Sequence, residues 1–166
     1  MGLDMHLYTF PKIEGMNLAE IRSADIHLSE LEAEKGAIYE KIKNHIKHFE
    51  ELDFSWRSLR TEITTWRKAN QIHHWFVKFV QNGKDDMCSY EVSKENLQEL
   101  YNSCVNVLLK RKAPHNELPT RTGPFFGSTS YDDYYYWEVD RTKTILENLL
   151  ENFNFETHYM VYCADW

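Results

Sequence analysis

From Leu3 to Phe10 apolar and polar positions alternate, with Leu3, Met5 and Leu7 against Asp4 and His6. This two-residue period predicts a strand, ended by Pro11. A second such run closes the chain: Phe155, Thr157, Tyr159, Val161 and Cys163 lie on one face, and Glu156, His158, Met160 and Tyr162 on the other. Both faces are largely apolar or aromatic, so this strand is expected to be covered on both sides. Its natural partner is the N-terminal strand.

Between these two runs the period changes to three and four. Ser29 offers a helix cap, and Leu31, Ile38, Ile42, Ile46 and Phe49 form a narrow stripe that predicts a solvated helix to about Leu52. Before it, the signals from Glu14 to Ile26 conflict, and the reading is irregular chain with about one helical turn. β-Branched Ile63, Thr64 and Thr65 favour a short strand near Leu59–Thr65. A central helix follows from about Trp66 to Gln81, its apolar arc made of Ala69, Ile72, Phe76, Phe79 and Val80 with His73 inside it; Asn82-Gly83 ends it. Cys88 to Val92 reads as a short strand. Ser93 caps a helix whose Leu97, Leu100, Cys104 and Leu108 face a core, and whose basic triplet Lys110–Lys112 complements the helix dipole. The Pro/Gly-rich stretch from Leu118 to Ser130 is a loop. Ser130 and Asp133 then resemble a capping box for a helix from Tyr131 to about Glu151. The expected fold class is α+β: about four helices packed on a small sheet that includes the N- and C-terminal strands, in a single domain spanning 1–166.

Composition narrows the function. The 166 residues carry a net charge of −7, which disfavours general nucleic-acid binding, because that affinity comes from Lys and Arg against phosphate. Ten Tyr and five Trp exceed what a minimal core needs, so some rings are expected at a ligand or partner surface. Three widely spaced cysteines, with no C-x-x-C, indicate neither a zinc knuckle nor a disulfide framework, and no cofactor is implied. His45 and His48 stand three apart on the expected 29–52 helix, but no third ligand matches them, so no metal is assigned. No apolar run is long enough to span a membrane, and His6 stands where a myristoylation signal needs Ser or Thr. A reducing cytoplasm is the expected location.

The candidate binding chemistry collects in two stretches. On the central helix Arg67, Asn70 and His74 share one edge of the apolar arc, with Lys68 beside them. The loop and the start of the next helix supply Thr120, Phe125, Phe126, Tyr131 and Tyr135. In a nucleotide-like site the rings would stack on a base, Arg67, Lys68 and His74 would meet phosphate, and Asn70 and Thr120 would add hydrogen bonds. These nine residues form the expected ligand site.

Several blocks of the chain resemble a family of small proteins encoded by phages and prophages. They are Met1-Gly2-Leu3-Asp4-Met5, Trp66-Arg67-Lys68-Ala69-Asn70 with Ile72-His73 and Trp75-Phe76-Val77, and the Val92-Ser93-Lys94-Glu95 cap. Leu118-Pro119-Thr120, Phe125-Phe126-Gly127-Ser128-Thr129 and Tyr131-Asp132 complete the set. Residues of about 14 to 60 look like additional length, a helix-containing insertion. The resemblance implies a phage origin and carries no assigned chemistry, so no catalytic residue follows from it.

Enzyme templates are missing: there is no G-x-S-x-G, P-loop, G-x-G-x-x-G or H-E-x-x-H. Cys88 with His73 or His74, and the acid pair Asp132–Asp133, are the remaining catalytic pairings; the first reads more simply as a small buried thiol and the second as acids favoured in a helix first turn. The reading leans away from enzyme activity and assigns no catalytic residue. The leading expectation is a non-enzymatic binder of a nucleotide-like small molecule that sequesters a host signal and so blunts host defence. One alternative is an acidic inhibitor of a host protein, using Glu30–Glu34 and Glu50–Asp53. The other is a nucleotide hydrolase.

Overall fold

The computed structural model describes residues 2–166. Among them the elements run in the order β1 (Asp4–Pro11), α1 (Leu18–Ile26), α2 (Leu28–Glu34), α3 (Ala37–Ile42), β2 (Lys47–Glu51), β3 (Phe54–Ser58) and β4 (Thr61–Arg67). The chain continues through α4 (Asn70–Phe79), β5 (Tyr90–Glu91), α5 (Lys94–Leu108), α6 (Pro114–Glu117), α7 (Asp133–Asn152) and β6 (His158–Asp165). The fold is α+β. An antiparallel sheet has the order β4-β1-β6-β5, and β2 and β3 form a separate hairpin. The two terminal strands pair in register from Asp4 opposite Asp165 to Pro11 opposite His158, as their alternation predicts.

Strand alternation divides the interior in two. Leu3, Met5 and Leu7, with Met160, Tyr162 and Ala164 of β6, face a core completed by α4, α5 and α7. On the reverse face Phe10 and Val161 meet Ile13, Ile21, Leu28, Ile42 and Leu59. The stretch expected to be extra length thus builds the second core. β6 is covered on both sides.

The structure corrects the sequence reading at several elements. No long helix spans 29–52: Lys35 turns left-handed at φ 51°, α2 stops there, and α3 is a separate short helix. From Lys47 the two-residue period wins, because Phe49 finds Trp56 directly across the hairpin; Leu52, at φ 50°, makes the turn. His45 and His48 therefore do not share a helix face. Residues 18–26 are helical, started by a reciprocal Asn17–Glu20 capping box where the sequence reading allowed about one turn. The central helix begins at Asn70, since Trp66 and Arg67 extend β4 and Lys68 reverses the chain at φ 58°. Asp132, not Ser130, caps α7, accepting from the Tyr135 N–H at 3.1 Å. Counting α6 and the short helices, the helices number seven among the described residues.

β4 is an edge strand, yet α7 covers part of that edge. Arg141 Nη2 donates to the Thr65 carbonyl at 2.7 Å and the Tyr134 hydroxyl to the Arg67 carbonyl at 2.8 Å. Side chains here take the place of a further strand. No helix among the described residues is long and apolar enough to cross a membrane.

Candidate functional site

The structure brings the nine residues of the expected site into one neighbourhood, and most of them there hold the 118–130 loop. Asn70, buried at the first position of α4, donates through Nδ2 to the carbonyls of Phe126 (3.0 Å) and Ser128 (2.8 Å) and accepts the Arg121 N–H on Oδ1 (3.0 Å). His74 Nδ1 lies 3.1 Å from the Pro119 carbonyl, and the Tyr135 hydroxyl donates to the Leu118 carbonyl at 2.8 Å. Thr120 Oγ1 donates to the Thr129 carbonyl at 3.1 Å, and the Thr120 N–H to the Tyr131 hydroxyl at 3.4 Å. Phe126 is buried and edge-on to His73 at 5.4 Å. Asn70, His74 and Thr120, whose polar atoms were expected to meet a ligand, are thus already engaged with the loop backbone. Beside His74 the hollow measures about 20 Å³, room for a water and not a nucleotide.

Arg67, Lys68 and Phe125 point outward. Arg67 Nε lies 3.4 Å from Asp4 Oδ1 with its side chain 71% exposed, and Phe125 is 70% exposed. Lys68 and Phe125 both adopt left-handed backbone, at φ 58° and 56°. A Cβ on Gly127 would stand 3.1 Å from Lys68 Cβ, so glycine permits this close approach.

Sequence reasoning placed His73 in the apolar arc but missed its network. Its Nδ1 lies 2.8 Å from the Tyr162 hydroxyl and its Nε2 3.0 Å from Asp85 Oδ1, while Asp85 Oδ2 meets Arg121 Nη2 at 2.7 Å. Asp85, paired with Arg121, only accepts; Nε2 therefore carries the hydrogen and Nδ1 accepts from Tyr162. Burial lowers the imidazole pKa, and the Asp85 carboxylate opposes that shift. Both nitrogens are engaged, so His73 cannot serve as a base for Cys88. Asp132 is likewise spent as a helix cap.

A ligand-sized cleft lies elsewhere, between the β2–β3 hairpin, the end of α1 and the adjacent strands β1 and β4. It encloses about 530 Å³, within the range of small-molecule sites. Phe49 and Trp56 line the hairpin side, their rings stacked at 5.3 Å, and Tyr8 lines the sheet side. Arg57 and Arg60 supply cations; the Arg60 guanidinium sits 4.7 Å over the Tyr8 ring and 3.7 Å from Asp25. Burial pushes the Tyr8 phenol up to about 12 although Arg60 opposes it, so the hydroxyl stays protonated at neutral pH. Asp25 Oδ1 already accepts from Ser58 Oγ (2.8 Å) and the Leu59 N–H (2.6 Å), which fixes the floor. The one sequence signal for this cleft was Phe49 alternating with polar residues ahead of Phe54 and Trp56, and the helical stripe concealed it.

Fold and cleft together define an α+β protein with an aromatic groove beside its sheet, lined by two arginines and two carboxylates. No known protein family, curated protein or solved structure matches this chain.

Proposed function

We propose that this protein is a non-enzymatic binder of a nucleotide-like small molecule, and that the ligand sits in the hairpin cleft. The observation that supports it is the pairing of stacked Phe49 and Trp56 with Arg57 and Arg60 around one hollow of ligand size. Base stacking on aromatic faces and guanidinium contact with phosphate are the two interactions a nucleotide needs. At the central-helix edge Asn70, His74 and Thr120 are engaged with the loop and the hollow beside His74 has room only for a water, so we place the ligand away from the position read in the sequence. With the phage resemblance as context, the protein would act in the cytoplasm of an infected or lysogenic bacterial host, sequestering a signalling nucleotide against host defence.

Calorimetric titration with adenylate and guanylate tests the reading. Binding by the wild type, weakened at least about tenfold, or ~1.4 kcal/mol, in Trp56→Ala and in Arg60→Ala but unchanged in Arg67→Ala, supports it. No binding, or equal binding in Trp56→Ala, overturns it.

A further inference from the structure

A second hollow of about 380 Å³ adjoins the cleft and shares Asp25, Ile26, Trp56 and Arg57 with it. Trp56 and Arg57 therefore stand on the boundary between two compartments. The second is lined by Ser29, Glu32 and Ser55, hydroxyls and a carboxylate able to meet the amino and hydroxyl groups of a nucleoside.

Charge in the first compartment is balanced. Asp25 and Glu62 line it together with Arg57 and Arg60, giving two anions against two cations. Arg57 further meets Glu32 at 2.6 Å through Nη1, while its side chain stays 46% exposed, leaving other guanidinium donors open. A triphosphate would bring several negative charges against Asp25 and Glu62. A phosphodiester brings one charge per linkage, which Arg57 can meet at the boundary.

Resting on the nucleotide-binding reading, we infer that the ligand is a dinucleotide joined by phosphodiester linkage, with one base on the Phe49–Trp56 side and the second nucleoside reaching Ser29 and Ser55. Mononucleoside di- and triphosphates are the disfavoured class.

The experiment is calorimetric titration of the full chain with cyclic di-adenylate, linear adenylyl-adenosine, adenosine monophosphate and ATP. The expected order puts at least one dinucleotide about tenfold or more tighter than the monophosphate, with ATP weakest. Ser55→Tyr, an exposed strand position that accepts a ring, should fill the second compartment. It should reduce dinucleotide affinity to the monophosphate level and leave monophosphate affinity unchanged. Equal affinity for mono- and dinucleotides, ATP as the tightest ligand, or a Ser55→Tyr variant indifferent to both would overturn this inference while leaving a nucleotide site in place. No binding of any of the four, nor of guanylate, overturns both.

Discussion

Asn70 Nδ2 lies 2.8 Å from the Ser128 carbonyl, across 58 residues of chain. The same amide reaches Phe126 and Arg121, so one side chain fixes three points of the 118–130 loop to the start of α4. Asn70→Ala removes all three bonds and leaves backbone groups unsatisfied in a partly buried place. The expected cost is about 3 kcal/mol, read as a melting decrease of roughly 6–12 °C. Nucleotide affinity should persist in the folded fraction, because the cleft lies toward the other core. A melting point within a degree of wild type would remove Asn70 from its anchoring role.

Trp56 stacks with Phe49 at 5.3 Å and Phe54 at 5.7 Å, and remains 39% exposed. Its replacement by Ala should cost little stability and most of the ligand affinity. For the wild type, a nucleotide at 100 times its Kd adds about 2.7 kcal/mol, a melting shift of very roughly 5–10 °C at this chain length. The variant should show no shift at the same concentration.

His73 sets a pH dependence. Its folded-state pKa lies below the ordinary 6.5, so the unfolded chain takes up the proton more readily. This contribution to stability is complete above pH 6.5 and is lost as pH falls through the lowered folded value. Between those limits the slope approaches about 1.4 kcal/mol per pH unit. Urea midpoints should change little between pH 7.5 and 6.5 and fall from pH 6.5 to 5.5 for the wild type, and fall less over that lower interval for a His73→Gln variant, itself less stable at pH 7.5. Parallel slopes would assign the acid sensitivity to other groups.

Glu138 has the opposite sign. Buried beside Tyr134 and Arg141, its carboxyl is raised by desolvation, with Arg141 opposing. The folded state favours the protonated form, and that stability is fully present below about pH 4.5 and is lost as pH rises through the folded value. Glu138→Gln keeps the shape without the charge, and should be at least as stable as wild type at pH 7 with the difference vanishing toward pH 4. Denaturant unfolding at both pH values decides it; a large loss at pH 7 would show that the Arg141 contact outweighs the burial.

Arg141 and Tyr134 blunt the β4 edge through the Thr65 and Arg67 carbonyls. An Arg141→Ala, Tyr134→Phe double variant should lose about 1–2 kcal/mol and self-associate with concentration in light scattering. Adding Ile63→Lys on the exposed edge should restore the monomer. A double variant that scatters like the wild type would show that the edge needs no such cover.

The sequence by itself determined the elements whose pattern is unambiguous. The terminal strands, the capped α5, the apolar arc of α4 and the α+β class follow from periods and caps that neighbouring residues enforce. Where two periods competed, tertiary contact decided. Phe49 fits a helical stripe with Ile42 and Ile46 as well as it fits a strand, and the ladder with β3, from Lys47 opposite Ser58 to Glu51 opposite Phe54, selects the strand. The site divided in the same way. Residue types near Arg67 and Phe125 announced binding chemistry, but a sequence does not reveal whether an amide such as Asn70 faces a ligand or its own loop. Hydrogen-bond partners more than 50 residues away settled that. The cleft joins Tyr8, Asp25, Phe49, Trp56 and Arg60 from separate elements, and a concave surface built from such distant pieces exists only once the sheet, helix and hairpin have packed.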